Sequence, residues 1–228
     1  MKETAARARR RGREEATTRR TLTVGDVAFD AHLTFLIIFA TIVPMLDYYD
    51  YSLTGTKAYD RFVFYFILPL VIILFLFRDR PAAYGFRLGR WRTGLAWTLV
   101  GCAAMGLLLL YVAQTPAMQA FYEERAPDTL WRLFFLTGVD LIGWEFMWRG
   151  VLLFAFARAF GPGPAIFLQA VPFAFMHLGK PELEALSTIF GGAAFGWVAW
   201  QSRSFLYPFL IHWFIASFTM LVATGRIG

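Results

Sequence analysis

Six ionisable side chains in the second half of the chain lie inside, or at the ends of, long apolar runs. They are Asp140, Glu145, Arg149, His177, Glu184 and His212. A charged group at the centre of a hydrocarbon layer costs about 2.5 to 3.5 kcal/mol on insertion scales, so such residues are functional candidates. A carboxylate and imidazoles that converge in a dry environment can activate water, the carboxylate as general base and an imidazole as support for the water or an oxyanion.

The stretch GWEFMWRGVL, residues 143 to 152, contains a carboxylate and a cation four residues apart. On a helix, Glu145 and Arg149 share one face and can form an ion pair that lowers the cost of burying both. Two interpretations are open. The pair either holds a water-activating carboxylate or only fixes the rotation of its helix.

The sequence around each of the three histidines indicates a different role. His177 stands at a span end, where Gly179 and Pro181 break the helix, and a lone histidine there is typical of an interfacial hydrogen-bonding group. His212 lies near mid-span among bulky apolar residues, so it needs a partner on another helix. His32, at the start of the first span, is interpreted as an interfacial residue.

The same side chains are acceptable zinc ligands. The candidate set is Glu145, His177 and His212, with Glu184 as a fourth. Hydrolysis of a peptide bond within or beside the membrane fits both a zinc-dependent and a metal-free glutamate mechanism.

The composition indicates the scaffold that must position these residues. Hydrophobic residues make up 58% of the 228 residues and aromatic residues 18%, well above the values of a soluble domain. Runs of about 20 apolar residues predict an all-α, polytopic transmembrane helical bundle in one domain, residues 27–228, after a basic tail, residues 1–26. The seven predicted spans are residues 31–47, 62–77, 93–113, 130–157, 164–178, 184–200 and 205–223.

Charge predicts the orientation. The first twenty residues carry eight of the 22 Lys and Arg against three acidic residues, and segment 78–92 carries five arginines and one aspartate. By the positive-inside rule both segments are cytoplasmic. We therefore expect an integral, multispanning protein of a bacterial or archaeal plasma membrane, with its N-terminus in the cytoplasm. The expected partners are the lipid bilayer and a peptide or protein substrate, and no nucleic acid.

Three motifs, in order and on three predicted spans, resemble a known family. WEFMWRG, FAFMH and LIHWFIAS resemble the CPBP family, the type II CAAX prenyl proteases and bacteriocin-processing (Abi) intramembrane proteases. The resemblance covers about residues 85–223. The family pattern is Glu-Glu-x-x-x-Arg, then Phe-x-x-x-His, then His-x-x-x-Asn. Glu145, Arg149, Phe173, His177 and His212 match it.

The resemblance implies an intramembrane endopeptidase that cuts near the membrane boundary. In this interpretation Glu145 is the base, Arg149 holds it, His177 orients the water and His212 stabilises the oxyanion. Phe173, the aromatic residue of the second motif, is expected to bind the substrate. Two tryptophans beside the polar residues are expected to form walls that contact the substrate and exclude water. They are Trp148 and Trp213.

The sequence departs from the family pattern at two positions. Trp144 occupies the place of the first glutamate, the one credited with activating water, and Ala216 occupies the place of the asparagine. Glu184 is the first candidate for a substitute carboxylate. Asp140 ranks below it, because five residues before Glu145 it points about 140° away around the helix.

Three functions are therefore compared. The favoured one is a variant protease in which Glu145 is the base. The alternative is a catalytically inactive, CPBP-like scaffold or peptide-binding protein. A proton-coupled transporter is less favoured, because the chain has no internal repeats and no helices broken at matched positions.

Overall fold

The structure, a computed structural model, describes residues 21–227. Residues 1–20 of the predicted basic tail lie outside the described residues. Contacts between Cα atoms divide the chain into two compact units, with the boundary between Thr41 and Ile42.

The first unit begins with a β-hairpin that the sequence did not predict. Strands β1 (Thr21–Val24) and β2 (Val27–Asp30) are antiparallel, with Val24 opposite Val27. Gly25 has a φ of +62°, which a two-residue hairpin turn requires and glycine adopts without steric cost. Residues 21–26, predicted as part of the tail, thus form a strand and a turn.

The other regular elements of the described chain are helices. The helices are α1 (Ala31–Tyr48), α2 (Lys57–Leu76), α3 (Trp91–Val112), α4 (Pro116–Glu123), α5 (Leu130–Glu145), α6 (Leu153–Phe160), α7 (Pro162–Leu168), α8 (Ala170–Phe175), α9 (Glu182–Ser202) and α10 (Leu206–Ala223). Three segments of the helical chain are π-helical: Val63–Ile67 and Ile72–Leu76 in α2, and Phe146–Leu152 between α5 and α6. A short 3₁₀ turn covers Pro81–Tyr84.

Four of these helices, α1, α2, α3 and α10, are long and apolar enough to cross a membrane. This confirms the prediction of an all-α polytopic membrane protein. The number of seven spans stays a prediction. The predicted run 130–157 is interrupted by the π-helical segment, and the run 164–178 corresponds to a shorter apolar helical stretch, Pro162–Phe175.

The π-helical segment Phe146–Leu152 lies at the centre of the second unit. It contacts α9 and α10, while α10 packs against α3 and α5, and α8 packs against α9. All seven of its residues are buried, including Arg149. Residues that are far apart in the sequence therefore meet around one turn of this segment.

Candidate active site

Glu145 is the last residue of α5, and Arg149 lies one turn further on in the π-helical segment. Both side chains are completely buried, and Arg149 Nη1 donates a hydrogen bond to Glu145 Oε1 over 3.0 Å. Insertions of π-helical turns into α-helices occur frequently at functional sites. The i, i+4 spacing thus gives the ion pair that it predicts.

The partner of the mid-span histidine is the same carboxylate. Nδ1 of His212, on α10, lies 2.6 Å from Glu145 Oε1. An ionised carboxylate can only accept hydrogen bonds, so Nδ1 carries the proton and donates. In the neutral imidazole this leaves Nε2 as an acceptor.

His177 lies just beyond the end of α8 and is also buried. Its Nδ1 donates to the carbonyl oxygen of Phe173 over 2.8 Å, so its Nε2 is likewise the bare nitrogen of the neutral ring. The Phe173 ring lies 4.5 Å from the His177 ring and 5.8 Å from the His212 ring, measured between centroids. Phe173 therefore connects the two histidines.

Aromatic rings enclose the buried cation. Arg149 Cζ lies 3.9 Å from the centroid of Phe173 and 5.1 Å from that of Phe195. A desolvated cation over an aromatic face gains about 2 kcal/mol. Phe195 also lies 5.4 Å from the His212 ring. The sequence did not single out Phe195, because it is one aromatic residue in an apolar run and no spacing marks it.

Four buried polar atoms near this group have no hydrogen-bond partner among the described residues. One is an acceptor, Glu145 Oε2, and three are donors: Trp148 Nε1, Arg149 Nε and Arg149 Nη2. Buried polar groups are almost always paired in native proteins, and such exceptions require an explanation. The three donors can bind the carbonyl oxygen of a peptide or a water molecule, and Glu145 Oε2 can accept a hydrogen bond from water.

The other predicted residues lie in different surroundings. Glu184, in the first turn of α9, accepts hydrogen bonds from Lys180 Nζ over 2.6 Å and from Tyr122 Oη over 2.7 Å. Both of its carboxylate oxygens are therefore engaged, and neither has a histidine as its partner. Asp140 accepts from Arg61 Nη1 over 3.0 Å, which makes it one half of an interhelical ion pair.

The two tryptophans that were predicted to form walls of the site lie in different places. Trp148 is completely buried and lies 5.8 Å from the ring of Trp144. Trp213 instead donates to the carbonyl oxygen of Phe134 over 3.0 Å and lines an open, almost wholly apolar groove of about 470 Å³ between α2, α5 and α10. Trp148 is thus part of the buried group, and Trp213 is part of a separate apolar surface.

The residues predicted as zinc ligands do not form one set. Within residues 21–227, no group of three or more His, Cys, Asp or Glu side chains is placed to hold a metal ion. Glu184 uses its oxygens on Tyr122 and Lys180, and the Nδ1 atoms of both histidines are engaged in hydrogen bonds. A closed site of four protein ligands does not fit this arrangement.

Comparison with known proteins gives one match. Residues 126–218 match the family model described as type II CAAX prenyl endopeptidase Rce1-like. The matched region includes all three motifs, and it confirms the resemblance to the CPBP family. No curated protein and no solved structure gives a significant match. At family level, the match supports a CAAX-type intramembrane protease.

Proposed function

We propose that this chain, with its Rce1-like region and apolar helices, is an intramembrane endopeptidase that hydrolyses a peptide bond near the membrane boundary. The observation that carries the proposal is the state of the Glu145 carboxylate. Oε1 is fixed by Arg149 and His212, while Oε2 is buried and has no partner among the described residues. A carboxylate held in this way can take a proton from the attacking water at Oε2 and give it to the leaving amine when the peptide C–N bond breaks.

The neighbouring groups have separate roles in this mechanism. Arg149 holds the carboxylate in position, and the bare Nε2 of His177 accepts a hydrogen bond that orients the attacking water. His212, when it carries protons on both nitrogens, donates to Glu145 from Nδ1 and to the developing oxyanion from Nε2. The enclosing rings, including Trp148, exclude bulk water and so strengthen each of these interactions.

The contact between Glu145 and His212 also supports a second version. Here Glu145 only orients the imidazole, and Nε2 of His212 is the base, as in a catalytic triad. The His212→Gln and His212→Ala variants separate the two versions. Glutamine keeps a donor for the oxyanion and retains part of the activity in the first version. In the second version both variants lose the base and are equally inactive.

An inactive, peptide-binding scaffold is the second candidate function, and one observation favours it. Both carboxylates that were considered as substitutes for the missing glutamate are bound elsewhere, Glu184 by Tyr122 and Lys180, and Asp140 by Arg61. Glu145 is then the one carboxylate of the group. An active enzyme must perform its chemistry with this carboxylate and the two histidines.

The test is cleavage of a library of membrane-anchored peptides by the purified full-length protein in lipid bilayers. Glu145→Gln, assayed at a temperature at which it is folded, is expected to cleave none of the peptides that the wild type cleaves. Glu182→Gln is the matched control, a carboxylate at the start of α9 outside the site. Glu184→Gln shows whether the second predicted carboxylate contributes. Each variant is assayed with and without a zinc chelator. Equal cleavage by wild type and Glu145→Gln, or no cleavage by either, would refute the proposal.

A further inference from the structure

A second group of charged and polar side chains contacts Trp144, and we call it the Arg61 cluster. It consists of Asp47, Arg61, Tyr65 and Asp140. Arg61 Nε donates to both oxygens of Asp47, over 3.1 and 2.9 Å, and its Nη1 donates to Asp140 Oδ2 over 3.0 Å. Tyr65 Oη donates to Asp47 Oδ2 over 3.1 Å. Three acceptor atoms on two carboxylates therefore fix one guanidinium group.

The guanidinium group also contacts the tryptophan that replaces the motif glutamate. Arg61 Cζ lies 4.8 Å from the centroid of the Trp144 ring, and the Tyr65 ring meets Trp144 edge-on at 4.9 Å. Asp140 precedes Trp144 by one turn of α5, so both lie on the helix face that meets Arg61. Arg61 thus binds α5 at two successive turns, through an ion pair and through a cation–π contact.

Trp144 extends this contact to the candidate active site. It is buried, and its ring lies 6.4 Å from the His177 ring in an edge-on arrangement. It also contacts the rings of Phe173 and Trp148, at 6.4 and 5.8 Å. The next residue in the chain is Glu145. A displacement of Trp144 would therefore reach both His177 and the carboxylate.

The backbones of α2 and α5 come close together at the same place. A Cβ atom added to Gly143 would lie 3.2 Å from the carbonyl oxygen of Arg61 and 3.4 Å from the Cα atom of Phe62. Only a residue without a side chain allows this approach without a shift of the neighbours. The Arg61 cluster thus lies where α2 directly determines the position of the last turn of α5.

We infer that Arg61 is a positioning residue for the candidate active site. It fixes the Trp144 ring and the last turn of α5, and Trp144 in turn orients His177. The effect of Arg61 on catalysis rests on the proposed function, but its effect on the position of Trp144 does not. Arginine is required because its planar fork bonds two carboxylates while its face stacks on the ring, and the point charge of lysine cannot do both.

The experiment uses magnetic resonance of the full-length protein with isotope-labelled histidine. The chain has three histidines, so the ring signals can be assigned by replacing each in turn. Arg61→Gln is expected to shift the His177 ring signal in the same direction as Trp144→Leu, because the first displaces the tryptophan ring from His177 and the second removes it. The double variant is expected to match Trp144→Leu alone, and Arg61→Lys is expected to shift the signal part of the way.

The matched control is Arg158→Gln, which removes another arginine stacked on a buried aromatic ring, that of Tyr84 at 4.4 Å. It is expected to leave the His177 signal unchanged. Should Arg61→Gln alone fail to fold, Arg61→Gln/Asp140→Asn removes one carboxylate left without its partner, and the same shift is expected. A His177 signal that moves in Trp144→Leu but is unchanged in the folded Arg61 variants would overturn the inference.

Activity provides a second readout. Displacement of the reacting groups lowers kcat by about 10- to 100-fold with little change in KM, so Arg61→Gln is expected to reduce cleavage in this way. A cleaving Arg61→Gln variant with wild-type kcat would contradict the positioning role. A wild type that cleaves nothing overturns the proposed function instead. The His177 signal alone then tests whether Arg61 positions Trp144.

Discussion

Replacement of Glu145 by glutamine tests whether Arg149 depends on a buried counter-charge. Arg149 is completely buried, and Glu145 Oε1 is its one hydrogen-bond acceptor among residues 21–227. Removal of one member of a buried ion pair costs about 3 to 5 kcal/mol, because the remaining charge has no partner. In a chain of this length, 1 kcal/mol corresponds to about 2 to 4 °C in Tm. We therefore expect Tm to fall by about 6 to 20 °C.

Replacement of the other member of the pair, Arg149→Met, is expected to lower the free energy of unfolding by a smaller amount, about 1 to 3 kcal/mol. The carboxyl group left behind keeps the hydrogen bond from His212 and can also take up a proton, whereas a guanidinium group does not lose its charge. The double variant removes both charges. Its loss of stability should be smaller than the sum of the single losses by about 1 to 3 kcal/mol.

Unfolding of the purified protein in detergent micelles, followed by tryptophan fluorescence, measures these differences. Glu124→Gln is the control, because Glu124 pairs with Arg125 over 3.3 Å at the surface, where such pairs contribute little. A loss for Glu145→Gln no larger than that for Glu124→Gln would refute the reasoning. So would a double variant whose loss equals the sum of the two single losses.

Two further predictions concern groups outside the candidate active site. Tyr122→Phe removes the hydrogen bond to Glu184 and should lower the free energy of unfolding by about 1 kcal/mol, whereas Tyr111→Phe, at an 80% exposed side chain, should not change it. Burial raises the pKa of Tyr84 to about 12, from an ordinary 10.0. Stability from Tyr84 is therefore fully present below pH 10 and is lost as the pH rises to about 12. Unfolding measured across this range should show a smaller decrease for Tyr84→Phe than for the wild type.

The sequence predicted well where the geometry is local. Composition and run length were enough for the all-α membrane class, because a hydrocarbon layer admits few other folds. The pairing of Glu145 with Arg149 followed from a spacing of one helical turn. The three motifs identified the family resemblance, and the match over residues 126–218 confirms it.

The sequence predicted less well where interruptions of the helices matter. The predicted span 130–157 contains a π-helical segment. Such a segment shifts the helical register of the side chains that follow it, here within an apolar run. The hairpin at residues 21–30 is short, and its strands are followed directly by a helix. Within the predicted span the hydrophobic pattern is continuous, so periodicity alone gives no boundary. The hairpin does have a local signal, Gly25-Asp26 between the short runs TLTV and VAFD, which the prediction of a tail did not take into account.

Glu184 shows where the prediction of side-chain contacts from the sequence fails. Its place in the sequence, after a break at Pro181, suggested a carboxylate directed at the histidines, but its oxygens accept from Tyr122 and Lys180. The contact with Lys180 is a local pair four residues apart, whereas the hydrogen bond from Tyr122 depends on the rotation of α9 and on the position of Tyr122 in α4, 62 residues earlier in the chain. No local pattern encodes either quantity.

By itself, the sequence determined the class of the protein, the order of the motifs and the ion pair between Glu145 and Arg149, which lie one helical turn apart. Only the tertiary structure decided that His212 bonds to Glu145, that Phe195 and Phe173 enclose Arg149, and that Arg61 reaches Trp144 from another helix. The physical reason is that contacts within one helix follow from a fixed rise and rotation per residue. Contacts between helices depend on how the side chains of both pack together, which the whole chain determines.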